Sequence, residues 1–199
     1  MLKQVRNSLY VKENKTKLNI LLNALIVLVV LVLVFEVFFL VNYSGIYVDG
    51  ESMEPTLNNG DYVYIDKQAK PGYGDIVVVY VESEKKYVIK RAIAFGGDSV
   101  KIVEGQLYIR KSGNSEFEAV PEPYLSPDNN GKSNNFSNDE TGYLVSEGYV
   151  FLLGDNRDIS KDSRKMGSQP LKNIDGVVTK WSLKHKSFCT KMYKIFKFK

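Results

Sequence analysis

From Ile20 to Val41 the chain is apolar at nearly every position, ILLNALIVLVVLVLVFEVFFLV, broken only by Asn23 and Glu36. A helix built from such a run has no polar face to turn toward water. At 1.5 Å per residue it reaches about 33 Å, enough to cross a hydrocarbon core of about 30 Å. Asn23 lies near one end. Glu36 lies about a turn from the other, where a carboxylate reaches the headgroups or stays protonated. Two readings compete. A cleavable targeting segment needs a shorter apolar core followed by small residues in an A-x-A arrangement, and this chain offers Asn42-Tyr43-Ser44-Gly45 instead. An uncleaved anchor over residues 20–41 is the favoured reading.

Beyond Val41 the pattern changes to short runs rich in Val, Ile and Tyr: Gly45–Val48, Tyr62–Ile65, Ile76–Val81, Tyr87–Phe95, Val100–Val103, Leu107–Arg110, Tyr149–Leu153 and Val177–Leu183. Gly, Pro, Asn and Asp clusters separate them, and Glu104-Gly105-Gln106 reads as a tight hairpin. No helical periodicity longer than about two turns stands out past the anchor. The expected fold is mainly β, a barrel or folded sheet rather than a flat one with exposed edges. Residues 121–142, PEPYLSPDNNGKSNNFSNDETG, hold little that could form a core. They read as a polar surface excursion, part of a small second lobe spanning about 105–148.

Charge divides the chain further. Its net charge is +4, yet residues 1–19 carry Lys3, Arg6, Lys12, Lys15 and Lys17 against Glu13, and residues 184–199 carry six lysines and no acid. The span between them is therefore acidic, by about −6. A basic stripe on a folded domain marks nucleic-acid binding, and this distribution argues against it. Basic ends suit anionic lipid. The basic residues ahead of the apolar run place residues 1–19 in the cytoplasm and residues 42–183 outside by the positive-inside rule. The segment 184–199 reads equally as a basic amphipathic stretch on the lipid surface or as a disordered tail.

The chain has a single cysteine, Cys189, and a single histidine, His185, both in that basic segment. An internal disulfide is excluded and a structural zinc site is not expected. A Ser-His-Asp triad is equally out of reach, so a serine hydrolase here needs a lysine base. Ser52 lies in Asp49-Gly50-Glu51-Ser52-Met53-Glu54-Pro55, where glycine and proline present the hydroxyl on a sharp turn. Alone, a serine between glycine and proline is more often a loop serine. Lys90 lies in the strand-like Tyr87-Val88-Ile89-Lys90-Arg91-Ala92-Ile93, with Val88 and Ala92 on its own face. Burial there would lower its pKa; an edge lysine in water is the plain alternative. A third cluster, Gly154-Asp155-Asn156-Arg157-Asp158-Ile159-Ser160-Lys161-Asp162-Ser163-Arg164, alternates acids, bases and hydroxyls as a hydrogen-bonded network would.

Taken in order, these segments resemble the boxes of the type I signal peptidases. Gly50 to Leu57 resembles the nucleophile box and Tyr73 to Val78 the strand that follows it. Tyr87 to Val100 resembles the lysine box, and Gly154 to Arg164 the final GDNRxxSxDSR box. The resemblance covers most of residues 45–180. It implies the β-barrel-type fold shared by signal peptidases and LexA-like peptidases, preceded by one transmembrane helix. It further implies Ser52 as nucleophile, Lys90 as general base and Ser160 as the residue orienting the amine. Asp155, Arg91, Asp162 and Arg164 would form a supporting ion-pair network. No cofactor is implied.

The implied activity is removal of signal peptides from exported preproteins after small residues, Ala-x-Ala in type, by a monomeric enzyme beside membrane lipid. Some family members carry a serine two residues before the nucleophile, whereas this chain has Gly50, so the oxyanion would rest on backbone N–H groups, that of Ser52 first and that of Gly50 with it. This glycine is familiar from Gram-positive members. Where the family commonly has Leu-Pro-Gly-Asp, this chain has Phe95-Gly96-Gly97-Asp98. Substrate would add as a strand beside Val48, Asp49 and Gly50 on one side and Tyr87 and Val88 on the other. The eleven residue-to-residue steps from Val41 to Ser52 cap the distance from anchor to nucleophile at roughly 36 Å. A self-cleaving repressor-type peptidase shares the dyad but is cytosolic. A membrane-tethered β domain that only binds is the reading from a different class.

Overall fold

The computed structural model describes residues 2–127, 135–137 and 140–196, with side chains from Lys15 onward. Parts of the polar excursion (128–134, 138–139), the last three residues and the side chains of Lys3, Arg6 and Lys12 lie outside that description. The chain divides into two units, residues 1–42 and 43–199.

The first unit is one helix, α1 (Leu2–Asn42). Its stretch Lys15–Asn42 is long and apolar enough to cross a membrane, and its leucines, valines and isoleucines stand exposed along it. A soluble core helix would bury one stripe of such residues.

In the second unit the strands are β1 (Tyr43–Tyr47), β2 (Tyr62–Asp66), β3 (Ile76–Val81), β4 (Lys86–Phe95), β5 (Ser99–Val103), β6 (Gln106–Arg110), β7 (Glu118–Ala119), β8 (Tyr143–Leu144), β9 (Tyr149–Leu153), β10 (Gln169–Pro170) and β11 (Ile174–Val178). They form a seven-stranded sheet in the order β1-β2-β11-β3-β4-β9-β10 and a four-stranded sheet in the order β7-β6-β5-β8. The fold is mainly β, as expected, in two antiparallel sheets. The small sheet starts at Ser99 rather than near 105. It packs on the large one through Val100, Ile102, Leu107 and Ile109 against Ala94, Phe151 and Leu153.

Strand β4 is the pivot. It pairs with β3 from Lys86 to Arg91 and with β9 from Arg91 to Phe95, with an irregularity between Ala92 and Ala94. Its first half therefore has a strand on one side only. Strand β1, at the far end of the order, pairs only with β2.

The C-terminal region departs from expectation. The strand expected over Val177–Leu183 stops at Val178, because Thr179 caps a helix by accepting a hydrogen bond from the Ser182 N–H, which opens α3 (Lys180–Lys184). The basic segment is an ordered helix, α4 (Lys186–Phe196), rather than a tail. Cys189 is buried, Thr190 Oγ1 accepts from the Tyr62 N–H at 2.8 Å, and the Tyr193 ring stacks on that of Tyr62 with centroids 4.3 Å apart. Helix α4 thus closes over β2 with one face and turns Phe188 and Ile195 to solvent. A short helix, α2 (Ser163–Met166), follows the third charged cluster and is capped by Asp162.

Candidate active site

The segment after β1 holds Ser52 between two plugs. Met53 and Leu57 are fully buried in the core beneath β2, and the Leu57 N–H closes a turn onto the Met53 carbonyl at 2.9 Å. These two side chains fix the segment and leave Ser52 lining a cleft. Gly50, with φ +100°, adopts a backbone conformation that side chains disfavour, which suits glycine at the bend before it.

Lys90 reaches Ser52 from β4. Its Nζ donates to Ser52 Oγ at 2.6 Å and to the Ile89 carbonyl at 3.0 Å, while only 4 % of the residue is exposed. Burial pushes the amine down from 10.5 to about 8, because the ammonium loses its water. Asp162 and Asp155 pull it up and Lys86 pushes it down, but these are smaller effects.

The neighbouring residue on β4 points the other way, as strand alternation requires. Arg91 grips Asp155 with two parallel bonds, Nε to Oδ1 at 2.8 Å and NH2 to Oδ2 at 2.5 Å, and its NH1 donates to the Gly74 carbonyl at 2.6 Å. Such a planar fork is the strong form of carboxylate recognition. Asp155 also accepts from Thr56 Oγ1 at 2.5 Å. Asp162 accepts from the Gly154 N–H at 3.0 Å and pairs with Arg164 at 2.8 and 2.9 Å. Arg164 also donates to the Arg157 carbonyl at 2.7 Å. All these groups are largely buried, so their mutual satisfaction is what makes the burial tolerable.

Two expectations from sequence meet a different geometry. Ser160 is buried near the amine's surroundings, but its Oγ has no hydrogen-bond partner among the described residues. The second bond to the Lys90 amine goes to Ile89 instead. Gly50 was expected to offer its N–H to an oxyanion; that N–H donates to Asn59 Oδ1 at 3.1 Å. The remaining named residues do converge. Val48, Asp49, Gly50, Tyr87 and Val88 line one cleft of about 380 Å³, with Ser52 and Lys90 inside it.

Several participants were not singled out from sequence. Gly154 is needed because a Cβ there would stand 2.2 Å from Ser160 Oγ and 2.5 Å from the Ser52 carbonyl oxygen. Thr56 joins the Ser52 segment to Asp155. Tyr124 lays its ring against Arg91, 3.8 Å from the guanidinium carbon, and Glu122 pairs with buried Arg157. Both come from the excursion that reads as a polar surface loop. Its acidic side chain is buried because a distant arginine neutralises it, a pairing that no local pattern signals.

The arrangement is a buried amine in contact with a hydroxyl at the floor of an open cleft, with fixed charges behind it. Known proteins share its sequence. The family model "Signal peptidase, peptidase S26" matches residues 18–182. Signal peptidase I U of Bacillus subtilis (strain 168) is 32% identical over 171 residues, covering 80% of this chain and 83% of the relative. Signal peptidase I of Streptococcus pneumoniae serotype 4 is 29% identical over 167 residues, covering 67% of this chain and 79% of the relative. The crystal structure of a signal peptidase I from Enterococcus faecalis V583 aligns with a TM-score of 0.46 at 31% identity, over 56% of this chain and 98% of that one. The family match spans well over half the chain, so the chain belongs to the signal peptidase family, peptidase S26, and is a hydrolase of the serine endopeptidase kind.

Proposed function

We propose that this protein removes signal peptides from exported preproteins, cutting after small residues of Ala-x-Ala type, with Ser52 as nucleophile and Lys90 as general base. The observation that carries the reading is the 2.6 Å contact between a buried lysine amine and a serine hydroxyl inside an open cleft. At a pKa of about 8 roughly one amine in ten is neutral at pH 7, against about one in 3,000 at 10.5. Once neutral, the amine accepts the hydroxyl proton as Ser52 Oγ attacks the scissile carbonyl. The protonated lysine then returns that proton to the leaving amine of the mature protein, and water hydrolyses the acyl-enzyme by the same route.

The Ser52 N–H supplies the oxyanion donor in this reading, and the Ile89 carbonyl rather than Ser160 holds the amine. The Arg91–Asp155 and Asp162–Arg164 pairs keep the surrounding loops in place. Substrate binds as a strand between Val48–Gly50 and the one-sided half of β4, where main-chain groups give affinity and the cleft selects small side chains. The apolar helix α1 anchors the enzyme with its basic N-terminus in the cytoplasm and the β unit outside.

The test uses the full chain in detergent, a preprotein with an Ala-x-Ala site, and the variants Ser52→Ala and Lys90→Ala. Both variants lose cleavage if the pair is catalytic; cleavage surviving either substitution overturns it. An unmodified chain that binds the preprotein without cutting it would return the reading to a binding domain.

A further inference from the structure

Among the described residues, the polar excursion joins the charged network through its stretch 121–127. The turn there is closed by the Leu125 N–H on the Glu122 carbonyl at 3.1 Å. Within it the Tyr124 hydroxyl donates to Glu122 Oε1 at 2.6 Å, and Glu122 accepts from Arg157 NH2 and, at 3.1 Å, from NH1. Arg157 Nε in turn donates to the Gly154 carbonyl at 3.0 Å. Glu122 therefore fixes both the tyrosine and the loop that begins the third charged cluster.

The Tyr124 ring has a second contact, over the face of Arg91. The edge of that guanidinium is occupied by Asp155 and by the Gly74 carbonyl. Its face is where an aromatic ring adds attraction, and more strongly in a desolvated setting than in water. Asp155 then acts on the nucleophile segment from two sides. Its carboxylate accepts from Thr56 Oγ1, and the next residue, Asn156, donates its N–H to the Ser52 carbonyl at 3.1 Å. A continuous path runs from the tyrosine ring to the peptide of the nucleophile.

We propose that Tyr124 is a positioning residue for the reaction: its ring holds the Arg91 guanidinium flat, so that Asp155 and Asn156 keep the Ser52 segment in register with Lys90. The inference rests on the Ser52–Lys90 reading above. It makes the excursion a strap that completes the site from behind, without touching substrate. Small displacements of a reacting group have large effects on rate, up to about a hundredfold for 1 Å. The strap thus acts on kcat and leaves substrate affinity alone.

The experiment measures kcat and KM of the full chain in detergent on a quenched Ala-x-Ala peptide, with circular-dichroism melts on every variant. Tyr124→Phe keeps the ring over Arg91 and retains kcat within about threefold of the parent. Tyr124→Met fills similar space without a π face and lowers kcat by about tenfold or more, with KM unchanged within about twofold. Phenylalanine analogues of rising fluorine content at position 124 keep the shape while weakening the ring's attraction for a cation, so kcat falls stepwise along the series. This series stays decisive if the methionine variant melts early, because its members share one fold. A pentafluorophenyl variant with the kcat of Tyr124→Phe overturns the proposal. So does a folded Tyr124→Met with parental kcat, or a variant that raises KM alone. Ser52→Ala is the separate control: if it still cleaves, the dyad reading fails, whatever Tyr124 does.

Discussion

The backbone N–H of Asn156 donates to the carbonyl oxygen of Ser52 at 3.1 Å, and that approach exists because residue 154 has no side chain. A methyl at 154 would press on the Ser52 carbonyl and on buried Ser160 together. Gly154→Ala is expected to lower stability by about 1–3 kcal/mol, as overpacking does, and to cut cleavage at least about tenfold. Urea denaturation and peptide cleavage check both, and an alanine variant with parental activity would remove Gly154 from the site.

On the proposed reading only neutral Lys90 accepts the serine proton, so cleavage is expected to rise with pH and level off above about 8. The ascending limb of kcat/KM should have unit slope below its midpoint. A rate that stays flat from pH 6 to 9 contradicts a lysine base.

The same burial that readies Lys90 weighs on the fold. The folded-state pKa is depressed below 10.5, so the cost of holding a buried ammonium is present in full below pH 8 and vanishes as pH rises to 10.5. The shift corresponds to a cost on the order of 3 kcal/mol. Two lost hydrogen bonds offset about 1 kcal/mol each. Lys90→Met is therefore expected to abolish cleavage yet stabilise the β unit by about 1–2 kcal/mol at pH 6.5, and to have lost that gain by pH 9.5, where the remaining cost of about 1.4 kcal/mol no longer exceeds the two lost bonds. Urea denaturation at the two pH values reads this out. A variant less stable than the parent at pH 6.5 would refute the burial account.

Cys189 reports on the C-terminal helix. It is 3 % exposed on the packed face of α4, and burial pushes its thiol up, so it should resist thiol reagents in the native protein. Tyr193→Ala removes the ring stacked on Tyr62 and should speed labelling at least about tenfold by loosening the helix. Equal labelling rates in parent and variant would mean that the stacking does not hold α4 down.

How much of this was legible in sequence follows from the kind of contact involved. The strands Ile76–Val81 and Tyr149–Leu153 match their apolar runs residue for residue, because each is buried along most of its length. Ser52, Lys90 and Arg91 are not legible in their own segments; the order of the four boxes that resemble the type I signal peptidases singles them out. Helix α4 did not. Its packed face uses Cys189, Thr190 and Tyr193, two of them small, so lysines dominated the pattern and hid the helical spacing. Thr179 was read as a strand residue because capping depends on Ser182, three positions ahead. Glu122 and Tyr124 were invisible for a different reason: their partners Arg157 and Arg91 lie more than thirty residues away.

Residues Lys86–Lys90 of β4 carry a strand on one flank only, and β1 ends the sheet order on the side that shares their cleft. Such edges are ordinarily a hazard, since any extended chain can dock there. On the proposed reading the hazard is the means of admission. A visitor must arrive with its peptide groups unclaimed, and one still wound into a helix has none to offer. The first sieve on that reading is conformational and blind to side chains, and the choice of small residues comes after it.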